Sequence, residues 1–287
     1  MADASEKPFV DWIGRTSENE DVVTERLAAS FRAIFEPNLA PVAAGAAPLG
    51  IHWCLSPSIA GMAELGPDGH PAKNRDLPPV PQPRRMWAGG SIETFEELRI
   101  GDRVRRVSTI ADVTRKEGKS GELWFVAVDH VYSTERATAI KERHNIVYRE
   151  AARPATAKPA GPQSQPAGRA FQRSVAVATS PVLLLRYSAI TFNGHRIHYD
   201  LPYATGVEGY PGLVVHGPIQ ATLLFNMAAS EIGAAPPKFE YRGLSPAIAG
   251  TDIFVRRGAN TEADVYWTEG ESGVVHMEAR CLALPGQ

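Results

Sequence analysis

Two kinds of hydrophobic pattern alternate along the chain. Near the start, Val23, Leu27, Phe31 and Ile34 recur at helical spacing behind Ser17 and Glu20, which form a capping-box pair, so a helix is expected there. Further on, "GDRVRRVSTIADVTR" and "GELWFVAVDHVYS" are β-branched and aromatic runs separated by the turn-rich "KEGKSG", the pattern of a long antiparallel hairpin. Between helix and hairpin, "LPPVPQPRRMWAGG" reads as an extended, proline-rich crossing. The second half opens with "SPVLLLRYSAIT", a strand-like run. It continues to "GPIQATLLFNMAASEIG", where Pro218 suits the first turn of a helix and Ile219, Leu223, Leu224 and Met227 give a broad apolar surface. A helix this apolar needs wrapping, and "TDIFVRRG", "EADVYWTEG" and "VVHMEARCLAL" supply strands for it. One long helix embraced by an antiparallel sheet is the simplest α+β architecture.

The pattern lapses between the halves. Residues 151–170, "AARPATAKPAGPQSQPAGRA", contain four prolines and no large apolar side chain, so they cannot join a packed core. This divides the chain into an N-terminal module over 1–150, a Pro/Ala-rich linker over 151–172 and a C-terminal module over 173–287. With 287 residues, each module is large enough to bury its own core.

Charge and composition remove several function classes. Thirty basic residues stand against 32 acidic ones, a formal charge of -2 with no long basic block, so nucleic acid is not expected as a partner. "VLLL" at Val182 to Leu185 is the longest aliphatic run, far below the ~20 residues that span a bilayer, and the polar start "MADASEKPFVDWIG" lacks the pattern of a secretory signal. Cys54 and Cys281 form no C-x-x-C pair. A cytoplasmic protein without membrane contact is the expectation.

Three cofactor and nucleophile motifs fail on spacing. "EGKS" at Glu117 to Ser120 ends like a phosphate-binding loop, but Val113 stands where its first glycine belongs, and a hairpin turn is the better reading. Gly206, Gly209, Gly212 and Gly217 do not take the dinucleotide spacing, and no G-x-S-x-G elbow surrounds Ser188. Chemistry concentrates instead in "YSAITFNGHRIHYDLPYA", Tyr187 to Ala204, and in the nearby His216. His195, His198, Asp200 and His216 are types that ligate zinc or iron, but their spacing is unspecific, and Asp200 ahead of "LPYA" suits the cap of a short helix. Asn193 ahead of Gly194 is equally a turn former.

"FNGHRIHYDLPYA" followed by "GYPGLVVHGPIQATLL" resembles the catalytic segment of the MaoC-like hydratase/dehydratase family. That family's signature runs Asp, any residue, Asn, Pro, an aliphatic residue, His; here Asn193, Gly194, His195, Arg196, Ile197 and His198 fill those places. The final histidine matches and the leading aspartate does not. The "NGHRIHYD" form, with "PPVPQPRRMWAGGSIE" upstream, is most similar to the branch of mesaconyl-CoA and itaconyl-CoA hydratases and type 2 hydroxyacyl-thioester dehydratases. The resemblance implies a double hot dog, two antiparallel sheets each wrapping a long central helix, with the motif only in the C-terminal copy and the N-terminal copy serving as scaffold and tunnel wall.

It also implies a hydro-lyase acting at the α,β position of a short acyl-coenzyme A thioester, first a branched five-carbon dicarboxylyl group such as mesaconyl or itaconyl. His198 would carry the acid/base work, Asn193 would orient the water through its amide oxygen, and the N–H of Gly217 would hold the thioester oxyanion. His216 and Arg242 are candidates for substrate contact, Arg242 by its guanidinium. No metal or redox cofactor is implied, and a homodimer is compatible with it. The alternatives are dehydration of straight-chain or carrier-bound 3-hydroxyacyl thioesters, thioester hydrolysis with Asp200 as the carboxylate, and binding without turnover.

Overall fold

In the computed structural model, which describes residues 8–118, 121–150, 169–259 and 265–283, ten strands form one antiparallel sheet. The N-terminal half contributes β1 (Thr16–Val22), β2 (Arg84–Thr94), β3 (Arg103–Gly118), β4 (Gly121–Ser133) and β5 (Thr138–Arg149). The C-terminal half contributes β6 (Phe171–Ala178), β7 (Lys238–Gly243), β8 (Asp252–Gly258), β9 (Val265–Gly270) and β10 (Val275–Leu282). Their order is β1-β3-β4-β5-β2-β7-β10-β9-β8-β6, so the second half mirrors the first about the β2–β7 seam. There Gly89 to Glu93 pair with Arg242 to Lys238. The expected double hot dog is therefore the architecture, with its two sheets continuous at the seam.

The described residues form four α-helices: α1 (Glu25–Phe35), α2 (Pro181–Thr191) and α4 (Gly217–Ile232), which share the core with the sheet, and α3 (Leu201–Gly206), which packs on Ile197 and Val214. Every residue of α4 from Ile219 to Ala229 is buried, as its apolar composition requires, and Gly233 ends it in the left-handed conformation. Leu224 and Phe225 share one core with Phe31 and Phe35 of α1 and with Ile92, Phe239, Tyr241, Ile253 and Val255 of the sheet. Each such side chain contributes roughly 1.5–3 kcal/mol by leaving water.

The halves differ in one respect. Among the described residues only the C-terminal half has a long central helix; the N-terminal half has the eleven-residue α1 and an irregular stretch before β2. Asn226, fully buried on α4, takes up that stretch: its Oδ1 accepts from Ala40 N–H at 3.0 Å and its Nδ2 donates to Leu49 O at 3.0 Å. The polar backbone of a segment without its own helix is thus satisfied by its neighbour's.

Three local expectations are corrected. Ser17 and Glu20 lie in β1, which pairs with β3; the helix begins after Thr24, whose Oγ1 accepts from Leu27 N–H. β1 carries almost no apolar side chain and is held at the sheet edge by Glu18 on Arg105 and Glu20 on Arg103, so hydrophobic periodicity could not reveal it. The run "SPVLLLRYSAIT" is α2, because Ser180 accepts from Leu183 N–H and Pro181 occupies the first turn. The strand expected there is β6, immediately before it. The hairpin is β3 and β4, with Gly118 opposite Gly121; its turn residues 119–120 lie outside the described residues. So does residues 151–168 of the linker, while Phe171 and Gln172 already belong to β6. Among the described residues no helix is long and apolar enough to cross a membrane.

Candidate active site

α2 ends at Phe192 in the left-handed conformation, and Asn193 then turns the chain, its Oδ1 accepting from His195 N–H at 3.0 Å. That turn launches a single 3-10 turn, Arg196–His198, which buries Ile197 and His198. His198 Nδ1 meets Val214 O at 2.7 Å. A carbonyl only accepts, so Nδ1 carries the proton and Nε2 keeps its lone pair. Burial lowers His198 to about 4, against the opposing pull of the Val214 bond, so it is a neutral imidazole near pH 7. Asp200 caps α3 by accepting from Tyr203 N–H, as expected, and pairs with Arg196 at 2.7 Å.

His216 stacks on His198 with ring centroids 3.5 Å apart and planes 16° apart. Its Nε2 shares a hydrogen with Ser188 Oγ at 2.9 Å, while its buried Nδ1 has no hydrogen-bond partner among the described residues. Burial and the adjacent His198 push its pKa well down. The next residue, Gly217, starts α4. Its N–H takes no hydrogen-bond partner among the described residues and lies at the positive end of a sixteen-residue helix. A Cβ on Gly217 would come within 2.5 Å of Cε3 of Trp87, so only glycine lets β2 close over the helix start. Trp87 is wedged in turn, stacked on Tyr241 at 4.8 Å and edge-on to Trp53 and His144.

The structure therefore gathers His198, His216 and Gly217 into one site, with Asn193 shaping the turn that presents His198. Arg242 lies apart: it alternates with buried Tyr241 along β7, so its side chain is exposed on the opposite face. Arg256 and Arg257 pair with Glu269 and Glu231.

Three contributions from the N-terminal half were not visible in the sequence. Asp68 and His70, on a turn between α1 and β2, reach the segment that carries His195 and His198, and the His70 ring lies 4.2 Å from that of His195. Asp68, His70 and His195 bring possible ligand atoms within 4.8 Å of one another, the one such group among the described residues. Arg84 at the start of β2 pairs with Glu208 at 2.5 Å, tying the seam to the loop ahead of α4. Glu142, on β5 and fully buried, accepts from Trp53 Nε1 at 2.6 Å and Tyr241 OH at 3.1 Å, and its Oε1 lies 2.8 Å from His144 Nε2. Burial opposes its ionisation, but the imidazoles and the donated hydrogen bonds hold its carboxyl well below the usual range. This network braces the Trp53, Tyr241 and His144 side chains around Trp87.

Residues 50–249 match the family model of the hydroxyacyl-thioester dehydratase type 2. The chain is 41% identical over 243 residues to mesaconyl-C(4)-CoA hydratase of Chloroflexus aurantiacus, covering 84% of this chain and 86% of that one. A MaoC-like dehydratase from Phytophthora capsici superposes with a TM-score of 0.65 at 13% identity, over 96% of this chain and 98% of that one. A Mycobacterium tuberculosis protein described as having a double hotdog fold does so at 0.56 and 12%, over 94% and 95%.

Proposed function

The chain belongs to the hydroxyacyl-thioester dehydratase type 2 family, and from that premise we propose that its site hydrates a short enoyl-coenzyme A thioester, the reverse elimination using the same groups. The observation that carries the reading is the pairing of a neutral, oriented His198 with an unpartnered N–H at the start of α4. In the forward direction His198 Nε2 takes a proton from water as oxygen bonds to Cβ. The π pair moves onto the thioester oxygen, where the Gly217 N–H and the helix dipole receive the charge. Cα then takes a proton and the carbonyl re-forms. Stacked on His198 and fixed by Ser188, His216 keeps that ring in place.

The identity to mesaconyl-C(4)-CoA hydratase supports a branched five-carbon dicarboxylyl thioester as the acyl class. Thioester hydrolysis through Asp200 is disfavoured, because that carboxylate is engaged by Arg196 and by the Tyr203 N–H. The test offers crotonyl-, mesaconyl- and itaconyl-coenzyme A in turn and follows them by mass spectrometry. Gain of one water with the thioester intact supports the reading, and the substrate converted names the acyl class. Free coenzyme A without a hydrated product refutes it.

A further inference from the structure

Addition of water across a double bond moves two protons, one off the water and one onto Cα; of the two imidazoles on the catalytic segment, His198 is oriented by Val214 O, whereas His195, between the rings of His70 and His198, is pushed far down in pKa by burial. Asn193 stands in the place of a carboxylate, but an amide takes no proton, and its oxygen is already used by His195 N–H. The second group must come from elsewhere.

The turn at 66–71 is built into the catalytic segment at close range. Arg196 N–H donates to Asp68 O at 2.9 Å, and Arg196 Nη1 donates to Pro67 O at 3.0 Å. Gly69 and Gly194 cross where side chains cannot fit: a Cβ on Gly69 would lie 2.0 Å from Gly194 O, and one on Gly194 would lie 2.7 Å from Gly69 O. Gly69 also has φ +86°, open to glycine at little cost. Within this turn Gly66 N–H donates to His70 O at 2.7 Å and His70 N–H donates to Asp68 Oδ1 at 3.1 Å, which fixes the His70 backbone. His70 Nδ1 then donates to Asp68 Oδ2 at 3.0 Å, leaving Nε2 without a partner among the described residues. From His70 the imidazoles continue as a row, with centroids 4.2 Å from His70 to His195, 5.4 Å to His198 and 3.5 Å to His216.

We propose that Asp68 and His70, delivered by the N-terminal half, are the second acid/base group of the site: His70 exchanges the Cα proton and Asp68 is its positioning residue. This rests on the hydratase reading above. In hydration, imidazolium His70 gives its Nε2 proton to Cα as the enolate pair returns to carbon, while His198 holds the proton taken from water; solvent then returns a proton from His198 to His70. In dehydration, neutral His70 removes the Cα proton, and His198 protonates the departing hydroxyl. Asp68 holds His70 through Nδ1, which leaves Nε2 to exchange a proton, and its charge favours the imidazolium against the burial and the Arg85 charge that together lower the His70 pKa. The charged and titratable groups facing His70 are Asp68, Arg85 and His195, with His198 one ring further. The N-terminal half is then a source of catalytic chemistry as well as a wall.

The full chain is assayed on the thioester it hydrates, together with His70→Ala, Asp68→Asn and His70→Ala in the presence of free imidazole. His70→Ala is expected to lose about 10²-fold in kcat with KM changed less than about threefold, and Asp68→Asn about tenfold. Free imidazole is expected to restore part of the His70→Ala rate, which a merely structural histidine would not allow. If the wild type hydrates a thioester while His70→Ala keeps kcat within about threefold, or loses it without imidazole rescue, the dyad is overturned and the hydratase reading stands. A wild type that hydrates none of the thioesters overturns the hydratase reading, and the dyad with it. One equivalent of zinc bound by the wild type and lost in His70→Ala, with activity removed by chelation and restored by zinc, overturns the dyad in favour of a metal site.

Discussion

Replacing Gly217 with alanine puts the smallest possible load on the contact at the proposed oxyanion position. The added Cβ would stand 2.5 Å from Cε3 and 3.1 Å from Cζ3 of Trp87. Carbon atoms rest about 3.5–4 Å apart, so ring and helix start must separate by about 1 Å. Trp87 has little room to yield, since Tyr241 stacks on it at 4.8 Å while His144 and Trp53 meet it edge-on at 5.6 and 6.1 Å. Much of the movement therefore falls on the first turn of α4, which carries the Gly217 N–H. A displacement near 1 Å at a reacting centre costs on the order of 10²-fold in rate, and overpacking of this kind costs about 1–3 kcal/mol of stability. Initial rates of hydration and thermal unfolding are measured for Gly217→Ala beside Gly206→Ala, whose Cβ would meet nothing within 4 Å. The expected outcome is a fall of about 10²-fold in kcat/KM in the first and a value near wild type in the second. A Gly217→Ala enzyme within about threefold of wild-type kcat/KM refutes the claim that this helix start is a fitted oxyanion site.

Other expectations follow from the buried polar groups. His52 and His198 are each held down to about 4, chiefly by burial. A depressed histidine stabilises the fold fully above its unfolded value near 6.5 and loses that contribution as pH falls towards the folded value, so each forfeits about 1.4 kcal/mol by pH ~5.5. His195, His216 and His130 shift in the same direction, so urea midpoints are expected to fall steeply between pH ~6.5 and ~4.5; a flat profile there contradicts the burial of neutral imidazoles. Asn226→Leu leaves Ala40 N–H and Leu49 C=O without their partner inside the core and is expected to cost about 2–4 kcal/mol in chemical denaturation, whereas a loss below about 1 kcal/mol would show that α4 does not hold the irregular stretch.

What the sequence disclosed depended on whether a feature was local. α4 is apolar on every face, and β3 and β4 are runs of β-branched and aromatic residues, so both were legible by composition and period. The motif around His198, read with the helix start at Gly217, carried the fold and the reaction class together. β1 was hidden because its support is ionic and comes from Arg103 and Arg105 on a strand some eighty residues away. α2 was hidden because an aliphatic run such as "VLLL" has no period that separates strand from helix, and the informative residues were the cap Ser180 and Pro181 just before it. Asp68 and His70 lie more than a hundred residues from His195 in the chain, so no spacing rule could join them. "GPDGHP" folds as a turn, and what it approaches is decided by the crossing of Gly69 with Gly194. For Arg242, guanidinium chemistry suits the phosphates of coenzyme A, and strand alternation turns its side chain to the face opposite Tyr241.

The most direct test of the central claim is turnover in heavy-oxygen water by the wild type and His198→Ala, with acyl products and free coenzyme A followed in the same samples. The wild type is expected to yield an intact thioester carrying one heavy oxygen on its acyl chain, and His198→Ala to do so about 10²–10⁴-fold more slowly. Heavy oxygen in a released carboxylate beside free coenzyme A, or equal rates in the two proteins, would contradict it.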